Sequence, residues 1–418
     1  MHHNDRSLAR PHRHVHIFSR KLSMTSSADV CIIGAGIAGL YSAYVLRKQR
    51  GPQCKIVIVE ADDRVGGRAL VVPFAGQEVL DGAGVGRWSK DLVLRALLCD
   101  MGLSVRRFHV PRHPVHDAVI RGALADLRAA AAAETETFRD FGRRVLGPER
   151  YAAFVHATGF TDYEDAAAIH TLRHYGFDDT IGGRDFFMVP WKELIDGLVA
   201  SARAEIYTSC RVTKITARDG SCDVICNTRK IHAAQVVVAV TASGLHRLFG
   251  KRTAVVRAQP FLRIYARFAP GPALDALTKA VPGHMVVAAP LQKIIPMRDG
   301  VFMIAYSDNA SAVALRSEIQ KAGAARRLEA LVEQATGVSG LRITDLHSKF
   351  WKEGTHYFAP GKSESEYQNV QRPWGPDHDV WVVGEAVSAT DQGWVEGALK
   401  SVLKIEINLK QAGRHIIS

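Results

Sequence analysis

No run of about 18 consecutive apolar residues occurs in the chain, so the sequence offers no bilayer-spanning helix, and the closing stretch SVLKIEINLKQAGRHIIS is too polar to anchor in one. Cysteine is sparse and wrongly spaced for crosslinks or metal. The six thiols, Cys31, Cys54, Cys99, Cys210, Cys222 and Cys226, contain no C-x-x-C pair and lie mostly inside apolar runs. That argues against a zinc ribbon and a disulfide scaffold, and it fits reduced thiols in an intracellular, cytoplasmic protein. Cys222 and Cys226 in CDVIC share one strand face, where packing is the simpler role. Also missing is a basic helix with interleaved aromatics. The formal charge of +12 is spread thinly, and a third of it sits in the first 24 residues, where five Lys or Arg meet one Asp. Nucleic acid is therefore not expected as the main partner, whereas a polyanionic cofactor accounts for part of the charge. The same stretch holds five histidines. Residues 1–27 read as an unstructured tail, with a mitochondrial transit peptide or a metal tract as alternatives. No metal site is read elsewhere, and nothing decides between monomer and homodimer.

What is present begins at ADVCIIGAGIAGLYSAYVLRKQ. An apolar strand, Asp29 to Ile33, passes through Gly34, Gly36, Ala38 and Gly39 into a stretch with apolar residues at helical spacing. This is G-x-G-x-x-G in the context its chemistry needs. The first glycine permits a tight turn, the second lets a pyrophosphate approach the backbone, and the third lets helix and strand pack closely, while the helix N-terminus presents N–H groups to the anion. A second strand, Lys55 to Val59, ends at Glu60, 21 residues beyond Gly39, where a carboxylate meets ribose hydroxyls. The loop DDRVGGR follows, with Gly66 and Gly67 for close approach and Arg68 as a fixed cation. A nicotinamide enzyme has no such element there, so the turn is read as an FAD site. Near the other end, DVWVVGEAVSATDQGWVEGALKS repeats strand, Gly384, Glu385, loop and a helix opening at Trp394 or Val395. A helix N-terminus beside a flavin stabilises negative charge on its pyrimidine ring.

At 418 residues two domains are expected. The fold class is α/β: a Rossmann-like FAD-binding domain with a discontinuous α+β substrate domain made of a sheet plus a helical region. The first comprises residues 28–88, 186–258 and 375–418, the second 89–185 and 259–374. KDLVLRALLCDMG has helical spacing, ALADLRAAAAAETETFRDFGRRVL reads as one long alanine-rich helix, and the segment from Arg203 to Val240 alternates around an Asp-Gly turn as a hairpin set. Residues 259–309 hold further strands, 311–336 are helical and 341–352 extended.

Together these pieces resemble the flavin amine oxidase family: monoamine and polyamine oxidases, L-amino-acid oxidases and flavin-dependent histone lysine demethylases. The likeness is close over residues 28–70 and visible in LDGAGVGRW, IHAAQVVVAVTASGL, WKEGTHYFAPG and VVGEAVSATDQGWVEGAL. The helical region is abbreviated, similar to short divergent members in large DNA viruses. The resemblance implies that Gly34, Gly36, Gly39 and Glu60 hold the adenosine diphosphate half, Arg68 the pyrophosphate or flavin edge, and the Val212 backbone the adenine. It places Gly384 and Glu385 at the ribityl-phosphate region, the Val395 backbone at the flavin O2 and Trp394 beside the isoalloxazine.

Three departures stand out. Where the family commonly carries a lysine near flavin N5, PFLRIYARF offers Arg263, which keeps the charge without the proton exchange. KEGTHYF places Gly354 at the family's cage-tyrosine position and no cysteine, implying a non-covalent flavin. His356 and Tyr357 are candidates to fill the gap, a structural histidine being the alternative. Arg87 in GVGR matches the segment where L-amino-acid oxidases present an arginine to the substrate carboxylate, the alternative being an ordinary arginine at the start of a helix. The expected substrate is a small amine or amino acid, with Trp394, Tyr357 and Trp351 as the aromatic lining. Hydride leaves the carbon bearing nitrogen, and the imine hydrolyses. The rival expectation is a flavin-holding protein with little turnover.

Overall fold

The computed structural model describes residues 24–412, apart from 112, 182, 183 and 219. The histidine-rich stretch 1–23, and Asp219 of the Asp-Gly turn, lie outside the described residues. Met24 to Ser27 belong to no tail. They open the strand Met24–Ile33 and pair in parallel with Arg229 to His232, because the neighbouring strand extends far enough to take their backbone groups.

A seven-stranded sheet forms the larger layer. Its parallel members are Glu205–Tyr207, Ile56–Val59, Met24–Ile33, Arg229–Val238 and Val380–Val382. Ser221–Cys226 and Val212–Arg218 add to it antiparallel. Where the parallel strands run through the middle of the sheet they are short apolar runs, such as IVIV and the closing VCII and VVV of the two long strands, because both faces are covered there. Val30 and Ile32 pack into one layer with Leu40, Tyr44, Leu194, Leu198 and Leu399 from the helices Ile37–Arg50, Trp191–Ala202 and Val395–Ala412. Cys31 and Ile33, pointing the other way, pack with Val236, Leu245 and Phe249. Cys99 is exposed and the other five thiols are buried and free.

Register is what positions the site. Ile33 sits opposite Val59 and Val238, and Val238 opposite Val382, so these strands end at one level. Gly34, Glu60, Ala239 and Val383 therefore leave the sheet side by side, along the carboxyl edge where open α/β sheets bind ligands.

A second, antiparallel sheet has five strands in the order Met285–Val286, Lys293–Pro296, Val301–Asp308, Val256–Phe268 and Ile343–Phe358. Leu262, Ile264, Ile294, Phe302 and Ile304 pack on one face with Leu277, Leu315 and Leu328 from three helices. No helix of the described residues is long and apolar enough to cross a membrane.

The alanine-rich segment is two helices, Pro114–Ala129 and Phe138–Leu146, where the sequence suggests one. Ala130 is extended, Phe138 N–H donates to the Ala166 carbonyl at 2.8 Å, and Thr137 Oγ1 caps the second helix by accepting from Asp140 N–H at 3.1 Å. A cap and a tertiary backbone bond override alanine propensity. Thr137→Ala should remove about 1 kcal/mol from that helix end, speeding amide exchange across Phe138–Leu146 roughly fivefold. Unchanged exchange would mean that the Ala166 contact alone holds the break.

Candidate active site

The glycine turn is built by backbone crowding on one side and openness on the other. A Cβ on Gly34 would lie 2.3 Å from the Ala239 carbonyl oxygen, and one on Gly39 1.9 Å from the Gly34 oxygen, so strand, turn and helix close only without side chains. On Gly36 the nearest atom would be Gly67 Cα at 4.0 Å, so this backbone faces open space. Gly36 begins the helix Ile37–Arg50, whose N-terminus has no side-chain cap and no acidic residue in its first turn. Its first N–H groups and positive dipole end are thus left for an anion.

Two further stretches come to this corner. Glu60 accepts from Ala35 N–H through Oε2 at 2.6 Å and from Asp62 N–H through Oε1 at 2.9 Å. Gly66 N–H donates to the Ala35 carbonyl at 2.8 Å, and Gly36 and Gly66 form a parallel bridge, so the GGR loop lies against the glycine turn. The chain leading to Val212 is zipped to the same loop, with Cys210 N–H on the Glu60 carbonyl and Ser209 N–H on the Asp62 carbonyl, both at 2.7 Å.

At the far end, Glu385 is the meeting point. Oε1 accepts from Arg68 Nη1 at 2.6 Å and from His356 Nδ1 at 2.5 Å, and Oε2 accepts from Gly393 N–H at 2.9 Å. Arg68 Nη1 also donates to the Gly354 carbonyl at 2.7 Å. His356 Nε2 accepts from Ala242 N–H at 3.0 Å, which puts the ring proton on Nδ1. Burial alone would raise the pKa of the Glu385 carboxyl; His356 and Arg68 reverse that and hold it well below the usual carboxylate range. Beside it Gly384, at φ +120°, has nothing within 4 Å of where a Cβ would be.

The open backbone faces at Gly36 and Gly384, on the level carboxyl edge of one parallel sheet, fit a dinucleotide lying along that edge with its pyrophosphate at Gly36. A family model described as FAD dependent oxidoreductase matches residues 29–385. The chain belongs to that family. Its cofactor is FAD, and the chain is an oxidoreductase by family. Curated relatives match locally. Polyamine oxidase 1 of Oryza sativa subsp. japonica is 48% identical over 54 residues, 13% of this chain and 10% of that protein. Coproporphyrinogen III oxidase of Mycobacterium tuberculosis is 39% identical over 82 residues, 18% of this chain and 17% of that protein. An uncharacterized protein of Acanthamoeba polyphaga mimivirus is 36% identical over 63 residues, 15% of this chain and 12% of that protein. The matched stretches thus span 10% to 17% of these relatives' lengths. Among solved structures, putrescine oxidase bound to putrescine aligns with TM-score 0.70 at 14% identity, over 93% of this chain and all of that one. Cyclohexylamine oxidase from Brevibacterium oxydans IH-35A aligns with TM-score 0.72 at 15% identity, over 92% of this chain and 99% of that one. At such identities the likeness is one of fold.

In this FAD-dependent oxidoreductase the last helix opens at Val395, after Trp394, whose N–H donates to the Asp391 carbonyl at 3.0 Å. The Trp394 ring lies under the Arg87 guanidinium, 4.0 Å from its Cζ. Arg87 is 5% exposed and its fork is filled by three carboxylates: Asp91 at 2.6 Å, Asp391 at 2.7 Å and Asp179 at 2.8 Å. The expectation that Arg87 grips a substrate carboxylate is corrected by this geometry, because another anion would have to displace a buried ion pair. Burial pushes the Asp91 carboxyl up despite Arg87, whereas at Asp391 the burial effect is outweighed by Lys400 and Arg87 and the net direction is down.

Arg263 projects from Val256–Phe268 opposite Tyr306 and Lys349. Its Nη1 donates to the Leu80 carbonyl at 2.5 Å, Nη2 would touch a Cβ on Gly84 at 3.4 Å, and its Cζ lies 4.6 Å from the centre of the Tyr306 ring. Among the described residues it has no carboxylate ion-pair partner. Lys293, 1% exposed, approaches the same ring at 4.9 Å and donates to the Gly159 carbonyl at 2.5 Å. Burial pushes its pKa down to about 7 against the pull of Asp308 and Asp162, while burial and Asp308 push the Asp162 carboxyl up to about 7.

Tyr357 is not brought to Trp394. Alternation along Ile343–Phe358 sends it to the face opposite His356, where Asp165, Arg257 and Arg139 are its charged neighbours. His356 itself is a buried structural link. Trp351 donates through Nε1 to the Asp81 carbonyl at 2.5 Å. Gly354 is explained by packing: a Cβ there would be 2.5 Å from Phe261 Cβ, beside the register shift between Gln259 and Phe261. Sequence reasoning missed Lys293, Tyr306, Asp162 and the Asp91, Asp179 and Asp391 cluster. A charged residue in KIIP was the signal for Lys293, and the i, i+4 spacing was the signal for Asp91; Asp179 and Asp391 gave none, since only folding gathers them.

Two predictions follow from this geometry. Gly36→Ala should fold with an unchanged melting midpoint as apoprotein yet lose FAD affinity at least tenfold, whereas Gly39→Ala should not fold stably; equal FAD affinity in Gly36→Ala and the parent would refute the open-face assignment. Between pH 7 and the lysine's ordinary 10.5 the unfolded chain holds a proton that folded Lys293 has released. Stability should therefore rise with pH across that window, by at most about 1.4 kcal/mol per pH unit, and Lys293→Met should flatten the slope in urea unfolding.

Proposed function

We propose that the protein oxidises a small uncharged amine at the carbon bearing nitrogen, giving an imine that water hydrolyses to a carbonyl compound and ammonia or an amine. Bound FAD supplies the hydride-accepting, two-electron chemistry, and O2 or another acceptor restores it. The helix N-terminus at Gly36 would hold the pyrophosphate, Glu60 the ribose hydroxyls, the Val212 backbone the adenine, and Gly384 with the Val395 backbone the ribityl and ring end. Arg68 would keep Glu385 ionised and in place beside them.

The observation that carries the substrate reading is the inner face of the five-stranded sheet. Phe261, Tyr306 and Trp351 present aromatic surface there, with Phe261 and Tyr306 ring centres 5.4 Å apart, while Tyr265 on the same face is covered by Phe74 and His347. Such rings bind an uncharged amine and exclude water. The fold likeness to putrescine oxidase and cyclohexylamine oxidase supports the same class. With Arg87 neutralised by three carboxylates, the anchor expected for an amino-acid carboxylate is already taken, so amines are favoured over amino acids. Arg263 holds positive charge and relays no proton; an amine as readily deprotonated as Lys293 can exchange one. A second reading, an FAD-binding protein with little turnover, draws on Arg263 at the family's lysine position.

Anaerobic mixing of the holoprotein with a panel of mono-amines, diamines and amino acids decides between them. Bleaching of the flavin band by amines is expected, with amino acids at least tenfold slower. Reduction by dithionite but by no member of the panel would favour the second reading, and preferential reduction by amino acids would overturn the amine assignment.

A further inference from the structure

Away from the cofactor, the helix Ala168–His174 carries His170 and His174 one turn apart, and Glu364 opens the short helix Glu364–Asn369 facing them. One nitrogen from each ring and one carboxylate oxygen all lie within 4.8 Å of one another, and His174 Nε2 is 3.8 Å from Glu364 Oε1. His170 is 5% exposed, packed edge-on against Phe358 at 4.9 Å and Tyr367 at 5.6 Å. Its ring lies beside the Ala389 backbone, and its Nε2 is buried without a hydrogen-bond partner.

An unpartnered buried polar atom costs about 1–3 kcal/mol and needs a reason. A buried imidazole with an unpartnered ring nitrogen, one helical turn from a second histidine and facing a carboxylate, has the donors a metal ion needs. Histidines at i and i+4 on one helix face supply two donors to a single ion.

We propose that His170 Nε2, His174 and Glu364 bind a divalent transition-metal ion, Zn2+ by ligand type, with a fourth position for water. Two imidazoles and a carboxylate suit Zn2+ over Mg2+ or Ca2+, which prefer oxygen alone. Donors at about 2.0–2.2 Å from a tetrahedral ion stand about 3.4 Å apart. The triad must contract by roughly 1 Å, through rotation of the half-buried His174 and Glu364 side chains. Glu366 rather than Glu364 completes the capping box with Ser363, so Glu364 can turn without uncapping its helix. Arg173 and Lys404 bring positive charge near His174 and Asp391 brings negative, so affinity rests on the three ligands. The ion would tie the two helices together and, through Ala389, brace the loop that carries Asp391 to Trp394.

The test uses full-length holoprotein equilibrated with ZnCl2, desalted and assayed for bound metal, with Co2+ absorption as an independent readout. Histidines near the start of the chain also take up metal, so the difference between proteins is the measurement. Wild type should retain an additional equivalent of Zn2+ over His174→Ala and over Glu364→Gln, and should show tetrahedral Co2+ bands that both lack. Its melting midpoint should rise by several degrees with Zn2+ and theirs should not, with FAD content alike in all three. Glu364→Gln, a half-exposed near-isosteric change, keeps the test valid if His174→Ala folds poorly. Equal Zn2+ retention and equal thermal response in wild type and Glu364→Gln would overturn the proposal.

Discussion

A single buried carboxylate organises the site. Glu385 takes hydrogen bonds from Arg68 on the glycine-rich loop, His356 on the long strand of the second sheet and Gly393 before the last helix. These three segments come from distant parts of the sequence, so one ionised side chain fixes how the two sheets and the final helix meet. Burying a charge is costly unless it is paired and hydrogen-bonded, and here both oxygens are used. His356 adds a further link, since its other nitrogen takes the Ala242 N–H and so carries the tie back to the end of the central strand.

That link would have little effect without the register of the large sheet. Parallel strands ending at Ile33, Val59, Val238 and Val382 deliver glycine turn, acid and second glycine along one edge. The same level ending explains why the GGR loop can bridge to Gly36, since both leave adjacent strands at the same height. Backbone closeness does the work here: side chains are excluded at Gly34 and Gly39 by carbonyl oxygens, and space is kept at Gly36 and Gly384.

Local signals were legible in the sequence where chemistry and chain order coincide. Strand, turn, helix, strand and acid lie within residues 29–60, and Gly39 is required by the Gly34 oxygen inside that unit, so motif and geometry agree, although the carbonyl that crowds Gly34 comes from Ala239. The order of strands in the second sheet was not legible, nor was the break in the alanine-rich segment, where Phe138 N–H finds the Ala166 carbonyl. Arg87 shows the limit most clearly. Its neighbour Asp91 is visible four residues on, but Asp179 and Asp391 arrive from elsewhere and turn a free guanidinium into a neutralised one. Tyr357 failed for a simpler reason: the residue next to a buried strand histidine points the other way.

The two buried cations beneath the aromatic face differ in how their charge is met. Lys293 can shed its proton, since burial brings it to about 7, so its charge cost is limited by neutralisation. Arg263 cannot, and its charge is met by the Leu80 carbonyl, the Tyr306 ring and the neighbouring Tyr265. A guanidinium without a carboxylate in a dry interior gains most when an anionic group comes beside it, whereas Arg87, with three carboxylates, gains nothing. The Arg87 cluster instead holds Trp394 and the start of the last helix in place.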